Sequence, residues 1–374
     1  MARRGLNIYL RKNGRWEGRF VKDRKNGKTH FGYVYGKSFD ETKEKLALAR
    51  SRWIAHAGEE EQEGSAMLDA VSADWLTESE AQLKASTVAK YRDYLRCYIH
   101  PAFGRKELST ITDADVSGFC PELLKHGGKK GEGLSPKTVS EVLRVLKCLR
   151  THAISRGYAV GYSPNCARIK QRRREIRIFT PAERDRLEKY LETSDDLGHM
   201  GMLLCLSTGM RIGELCALTW DDISFEDREI HVRKTLQRIS CGEGDGQKTK
   251  IVITPPKSDC SQRTIPLPDE LYPRLASERQ PGAFVLTGKE GQYLEPRTMQ
   301  NRFKSVLSAC SIENANFHAL RHTFSTMWVE KGLDVKSLSA ILGHSTVNIT
   351  LNRYVHPSMA MKRKNMEQMA APCR

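Results

Sequence analysis

No apolar run in the 374 residues approaches the roughly 20 that a membrane-crossing helix needs, so a membrane-spanning chain is excluded. The N-terminus, MARRGLNIYLRKNGR, is positive but lacks the apolar core of a secretory signal, which predicts a product that stays in the cytoplasm. C-x-x-C pairs are missing as well. Cys97, Cys120, Cys148, Cys166, Cys205, Cys216, Cys241, Cys260, Cys310 and Cys373 are scattered, an arrangement that argues against structural zinc and against a disulfide framework. Most of them sit in helical patterns such as LRVLKCLR, where a reduced thiol behaves as a small hydrophobe. There is no internal repeat and no low-complexity tract.

What is present is charge. Hydrophobic residues at 39% and charged residues at 28% fit a globular protein, and the length suggests two or three domains. Against 45 Asp+Glu stand 61 Lys+Arg, a net charge of +16. A polyanion is the natural partner, because neutralising phosphates releases condensed counterions and gives sequence-independent affinity for nucleic acid.

The charge is uneven. From Arg3 to Arg52 there are 15 Lys/Arg and 5 Asp/Glu, so this stretch alone carries more than half of the excess. Within it, Asn13-Gly14 and Asn26-Gly27 are hairpin signals between alternating aromatic and aliphatic positions, which predicts three antiparallel strands. Ser38-Phe39-Asp40-Glu41 then reads as a capping box opening a helix whose Leu46, Leu48, Ala49, Trp53 and Ile54 cover one sheet face. The other face stays open, and Arg11, Arg15, Arg19, Lys22 and Lys28 suit a β-sheet that reads DNA.

HAGEEEQEGSA, near residues 56–66, is acidic, Gly-rich and aperiodic, and reads as a linker. Residues 66–169 are predicted to form a bundle of four helices, with Ser86-Thr87 capping the second and Ser135-Pro136 starting the fourth. HGGKKGEG is a loop between the last two. The run Lys170-Gln171-Arg172-Arg173-Arg174 is a basic hinge suited to phosphate contact, and Thr180-Pro181-Ala182-Glu183 is a second capping box, opening a domain of residues 175–374.

That last domain contains, in order, LLCLSTGMRIGELCALTWDDIS, TPPKSDCSQRTIPLP, NFHALRHTFST and LGHSTVNITLNRYVHP. The four blocks resemble the tyrosine recombinase (phage integrase) family, and the basic N-terminal module resembles the arm-site binders of integrases from temperate phages and conjugative transposons. The family marks its active site by an arginine in the first block, a hairpin lysine, H-x-x-R, a histidine in L-G-H and a tyrosine shortly after. The resemblance spans about the last 175 residues and implies Arg211, Lys257, His318, Arg321, His344 and Tyr354 as the active set. Glu214, three residues after Arg211, fits as a supporting acid.

These residue types suit the chemistry. Planar, permanently charged guanidinium groups match the two non-bridging oxygens of a phosphodiester, which assigns Arg211 and Arg321 as clamps. A tyrosine hydroxyl that loses its proton is a nucleophile forming a covalent intermediate, the role of Tyr354. Lys257 fits a general acid for the departing 5′ oxygen, although Lys248 and Lys250 lie near the same hairpin. His318 and His344 can bond the phosphate or exchange protons, and which does which stays open. His322 adjoins Arg321, but the H-x-x-R spacing selects His318 and leaves His322 a structural reading. His356 fits the family pattern without an obvious catalytic role.

The expected fold is therefore multidomain α+β: an N-terminal three-stranded β-sheet plus helix, a helical core-binding bundle, and a mainly helical catalytic domain with a small antiparallel sheet around Ile230 to Leu267. No cofactor and no metal are implied, because arginines supply the charge stabilisation and the phosphotyrosine conserves the bond energy. The resemblance implies double-stranded DNA as partner at core and arm sites, a homo-tetramer exchanging strands through a Holliday junction, and accessory directionality and DNA-bending proteins. The amphipathic tail SMAMKRKNMEQMA suits docking on a neighbour. The extra basic module favours a mobile-element integrase over a housekeeping, chromosome-resolving recombinase. A DNA-binding regulator that has lost catalysis would lack a motif residue, and none is missing.

Overall fold

In a computed structural model, the structure describes residues 7–11, 14–25, 28–57, 66–128, 131–163, 165–170, 176–241, 248–256, 259–355, 363 and 366. The chain divides into two compact units, Met1–Gln82 with Tyr94–Lys170, and Leu83–Asp93 with Gln171–Arg374.

The first unit opens with strands β1 (Ile8–Leu10), β2 (Trp16–Lys25) and β3 (Lys28–Gly36), antiparallel in that order. Gly14, between β1 and β2, takes φ +75°, the left-handed conformation that a tight hairpin turn needs. Asn13 and the expected Asn26-Gly27 turn lie outside the described residues. Helix α1 (Phe39–Ala57) begins as its sequence predicts: the Glu41 N–H donates to Ser38 Oγ, and the Glu41 carboxylate accepts from the Lys37 N–H. Its Leu46 is buried over Gly18, where an added Cβ would meet Val34, Thr42 and Leu46 at 3.0–3.3 Å.

Leu48, expected on that covering face, is instead 57% exposed. Two helical steps turn it about 200° from Leu46, so the two cannot share a face. The side chains of Trp53 and Ile54 lie outside the described set. On the uncovered face, strand register aligns Tyr9, Glu17 and Tyr35, then Arg19 with Tyr33, and Val21 with Phe31.

Next in chain order come α2 (Leu68–Gln82), α3 (Ala85–Tyr94, all but its last residue in the second unit), α4 (His100–Phe103), α5 (Asp113–His126) and α6 (Pro136–Ser155). A π-helical turn, Leu95–Ile99, joins α3 to α4, so the expected second helix is one rod with a widened turn. Pro101 follows that turn and has no N–H to close the normal i→i−4 bond. Ser86 and Thr87 were expected to cap this helix, but it starts earlier, and the Thr87 and Val88 N–H groups donate to the Lys84 carbonyl. Ser135 caps α6 as expected, its Oγ accepting from the Thr138 N–H, with Pro136 in the first turn. Buried Leu68, Val71 and Trp75 on α2 and Val142, Leu146 and Leu149 on α6 supply apolar core. His152 on α6 is held by Asp74 (2.9 Å) and Glu78 (3.1 Å) of α2.

The second unit is mainly helical. It runs α7 (Pro181–Glu192), α8 (Leu197–Thr208), α9 (Ile212–Ala217), β4 (Ile223–Ser224), β5 (Glu229–Val232), β6 (Thr235–Ser240), β7 (Thr249–Thr254), β8 (Arg263–Pro266), α10 (Tyr272–Ser277), β9 (Ala283–Phe284), β10 (Lys289–Glu290), α11 (Pro296–Ala309), α12 (His318–Glu330), α13 (Val335–Leu342) and α14 (Val347–Tyr354). The expected sheet is split into a three-stranded piece, β4-β5-β8, and a hairpin, β6-β7, with a further small pair, β9-β10. Helix α8 is apolar all round and nearly all buried, which makes it the central rod of a core with Trp220, Leu187, Phe303 and Leu320. Among the described residues no helix is long and apolar enough to cross a membrane.

Candidate active site

The site is built on the C-terminal end of α13. The last carbonyls of a helix have no intrahelical donor and carry partial negative charge. Three arginines from three other elements take them: Arg263 Nε donates to Ile341, Arg321 Nη2 to Leu342 at 2.8 Å, and Arg211 Nη2 to Gly343 at 3.3 Å. Gly343 ends the helix at φ +64°, a left-handed cap that turns its carbonyl out to Arg211.

Arg211 is the residue preceding α9, and the capping relation is local. Its N–H donates to Glu214 Oε2 (3.0 Å), and its Nη1 donates to Glu214 Oε1 (2.7 Å). Glu214 is buried and also receives Arg263 Nη1 (3.1 Å) and Nη2 (2.8 Å). Burial alone would raise the carboxyl pKa, but Arg263 and Arg211 outweigh it and hold Glu214 down at about 2. Glu214 is therefore an anion that ties two guanidinium groups together. Arg211 keeps one edge open, its side chain being 35% exposed against 5% for Arg263.

Arg321 lies on α12, only 2% exposed, and its Nη1 donates to the Gly209 carbonyl at 2.8 Å. Gly209 closes α8 at φ +67°, where a Cβ would come within 2.7 and 2.8 Å of Phe324 and Leu342. Arg321 Nη2 also meets His344 Nε2 at 3.0 Å, and His344 Nδ1 lies 2.8 Å from Thr350 Oγ1. Burial, then Arg321 and Arg211, lowers the His344 pKa to about 4.

Two further histidines share one face of α12, four residues apart. His318 is half-buried, and burial followed by Arg321 and Arg353 lowers it to about 4. Its ring stands edge-on to His322, centroids 4.7 Å apart. Tyr354, last residue of α14, is packed by Leu338, Leu342, Phe324, Trp328 and Val329, and its hydroxyl lies 2.9 Å from His322 Nδ1.

The expected residues Arg211, Glu214, His318, Arg321, His344 and Tyr354 thus fall in one cluster, while Lys257 and His356 lie outside the described residues, as does most of the tail. One further member, Arg263, was not singled out from sequence, and another, His322, was read as structural. Arg263 shares a face of β8 with the buried Ile265 two residues on, so its inward position was readable from strand period. His322 follows His318 by four in a helix, the spacing that puts two side chains on one face.

An arginine-rich cluster of this kind has the charge and the donors to receive an oxyanion. Arg321 gives three of its five N–H donors to Gly209, Leu342 and His344, which leaves two for a phosphate.

Residues 177–361 match the phage integrase family, and residues 68–124 match the phage integrase N-terminal SAM-like domain. The chain is 27% identical over 316 residues to a tyrosine recombinase XerC-like protein of Caldanaerobacter subterraneus subsp. tengcongensis, covering 76% of this chain and 78% of that one. It is 26% identical over 268 residues to tyrosine recombinase XerC of Chlamydia caviae, covering 70% and 78%. Among solved structures, the Tn1549 transposon integrase in complex with a circular intermediate DNA has a TM-score of 0.66 at 23% identity, covering 81% of this chain and 100% of that one. A lambda integrase tetramer bound to a Holliday junction has a TM-score of 0.57 at 18% identity, covering 96% and 99%. At these identities the structural likeness establishes a shared fold.

Proposed function

Since the chain belongs to the phage integrase family of tyrosine recombinases and is a DNA-cleaving and DNA-joining enzyme, we propose that Tyr354 is its nucleophile and that it serves as the integrase of a mobile genetic element. The observation that carries the chemical reading is the convergence of Arg211, Arg321 and His344 on the end of α13, beside the Tyr354 helix. Arg211 and Arg321 hold the non-bridging oxygens of the scissile phosphate. The Tyr354 oxygen attacks phosphorus, the bond to the 5′ oxygen breaks, and a 3′-phosphotyrosine remains. Lys257 supplies the proton to the leaving 5′ oxygen. A homo-tetramer on two core sites would repeat the exchange through a Holliday junction, as the lambda relative's assembly suggests. The arginines carry the charge stabilisation, so the assignment includes no metal or organic cofactor. Accessory proteins that bend DNA or set direction fit this role.

The test is Tyr354→Phe on a nicked suicide duplex. The variant should bind the duplex and leave no protein–DNA adduct on a denaturing gel. A surviving adduct overturns the assignment.

The mobile-element reading rests on residues 1–60, taken as an arm-type DNA-binding domain beside a core-binding domain (66–169) and a catalytic domain (175–374). On the open sheet face Glu17 is buried between Arg11 and Arg19, and the Arg19 guanidinium lies over the rings of Tyr9 (5.3 Å) and Tyr33 (5.6 Å). With Phe31 and Tyr35 exposed beside it, the face offers cations on an aromatic platform, a surface suited to duplex DNA. A housekeeping role is favoured instead by the relatives named XerC and XerD. Deleting residues 1–60 separates the two. Core-site cleavage should persist while recombination of full attachment sites falls sharply, because linked modules raise the effective concentration at the core. Full-rate recombination by the truncated chain, with no sequence preference in the isolated module, favours the housekeeping role.

A further inference from the structure

His322 stands one residue beyond the H-x-x-R motif, yet it is the residue whose ring reaches the Tyr354 hydroxyl, with Nδ1 to Oη at 2.9 Å. Both groups are buried, His322 at 6% and Tyr354 at 7% exposure. The charged and titratable groups around the ring are His318 and Arg321 on its own helix and Arg353 on α14. Burial comes first, and these neighbours add to it, pulling the imidazole down to about 3. A ring so placed is neutral at pH 7 and carries one unprotonated nitrogen. Tyr354 has a hydroxyl proton to donate, and Nδ1 is the acceptor within reach. His344 is committed elsewhere, to Arg321 and Thr350.

We propose that His322 positions Tyr354 for attack, its Nδ1 accepting the hydroxyl hydrogen bond and then the proton as the oxygen bonds to phosphorus. The inference rests on Tyr354 being the nucleophile. In the forward step the Tyr354 O–P bond forms, the phenolic proton passes to His322 Nδ1, and the P–O5′ bond breaks. The 5′ oxygen leaves with a proton from the acid assigned to Lys257. In rejoining, a 5′-hydroxyl attacks the phosphotyrosine and returns its proton to Lys257, the Tyr354 O–P bond breaks, and the departing Tyr354 oxygen recovers its proton from His322. A bound phosphate places negative charge against Arg321, which relieves the cationic pressure on the ring and makes it more basic when DNA is in place.

The experiment uses the full chain and a nicked duplex bearing the crossover sequence, located by footprinting the DNA that flanks its gene. His322→Asn keeps an acceptor at the δ position, whereas His322→Gln moves the amide to the ε position. His322→Gln should slow covalent-complex formation by about 100-fold, within the range of general acid–base catalysis, with duplex affinity unchanged. His322→Asn should recover roughly tenfold of that, since it restores the hydrogen bond without a titrating base. Both should lose the limb of the pH–rate profile that falls on acidification. Natural rates in His322→Gln, or equal rates in both variants with an unchanged profile, overturn the proposal. Nitrogen-15 NMR of the histidine-labelled natural chain is the check that no folding defect can mask. It should show His322 unprotonated at Nδ1, with a resonance that moves in Tyr354→Phe; a proton on Nδ1 overturns the assignment. An adduct formed by Tyr354→Phe would remove the nucleophile and this inference together. Loss of that adduct alongside natural rates in His322→Gln would remove His322 alone.

Discussion

Arg321 fixes the protonation state of His344. The guanidinium has donors and no lone pair, so at 3.0 Å His344 Nε2 must accept from it, which leaves the ring proton on Nδ1 and directed at Thr350 Oγ1, 2.8 Å away. A residue that sequence spacing marks only as a histidine thereby becomes a neutral ring of one tautomer. It cannot serve as a base at Nε2 until Arg321 shifts toward a phosphate.

Thr350→Val tests this arrangement. Thr350 is fully buried, and valine keeps its shape while removing the acceptor of the Nδ1 proton. Losing one hydrogen bond of about 1 kcal/mol should slow strand cleavage roughly fivefold with the melting temperature little changed. Single-turnover cleavage at the natural rate would show that Thr350 does not orient the ring.

Arg211→Lys and Arg321→Lys should each cut cleavage by at least about 100-fold, as expected when an oxyanion-stabilising donor is lost. An ammonium cannot contact a phosphate at two points. Arg321→Lys should also lower stability, because its buried carbonyl partners at Gly209 and Leu342 would lose their donors. Cleavage rates on a suicide duplex and urea melts read the two effects separately.

Glu214→Gln removes the anion between Arg211 and Arg263. Breaking a buried ion pair by neutralising one partner costs about 3 kcal/mol, and the urea midpoint should fall accordingly. Cleavage should fall too, because the amide leaves one acceptor oxygen where the carboxylate gave Arg211 two, and the ion pair is lost. An unchanged midpoint would mean that Glu214 does not hold the pocket together.

Acid should destabilise the catalytic unit in two overlapping stages. His318, His322 and His344 have folded values of about 4, about 3 and about 4, below the roughly 6.5 of an unfolded histidine. The unfolded chain therefore binds protons first, and stability declines as pH falls from about 6.5 towards 4. Glu214, at about 2 when folded, contributes stability above its ordinary carboxylate range that is lost as pH falls from about 4.5 towards 2. Denaturant midpoints at pH 7.5, 6 and 5 should drop in sequence, and His318→Asn should flatten the slope. A midpoint that stays level from pH 7.5 to 5 would contradict the assignment.

Much of this molecule was legible because its determinants are local. The Thr180 and Ser135 caps are set within one helical turn, and so is the pairing of Arg211 with Glu214, three residues apart. The same locality puts His318, Arg321 and His322 within one stretch of helix. Helix boundaries were less secure where backbone packing intervened, as at Ser86-Thr87, where the chain turns helical a residue before the best capping side chains. Only the tertiary structure decided what these groups contact. Arg263 reaches Glu214 across 49 residues and Arg211 reaches Gly343 across 132, because α13 ends where its free carbonyls meet three guanidinium groups. His322 reaches Tyr354 across 32. Periodicity says which way a side chain faces along its own element, but the identity of its partner depends on how separate elements pack, and no local pattern encodes that.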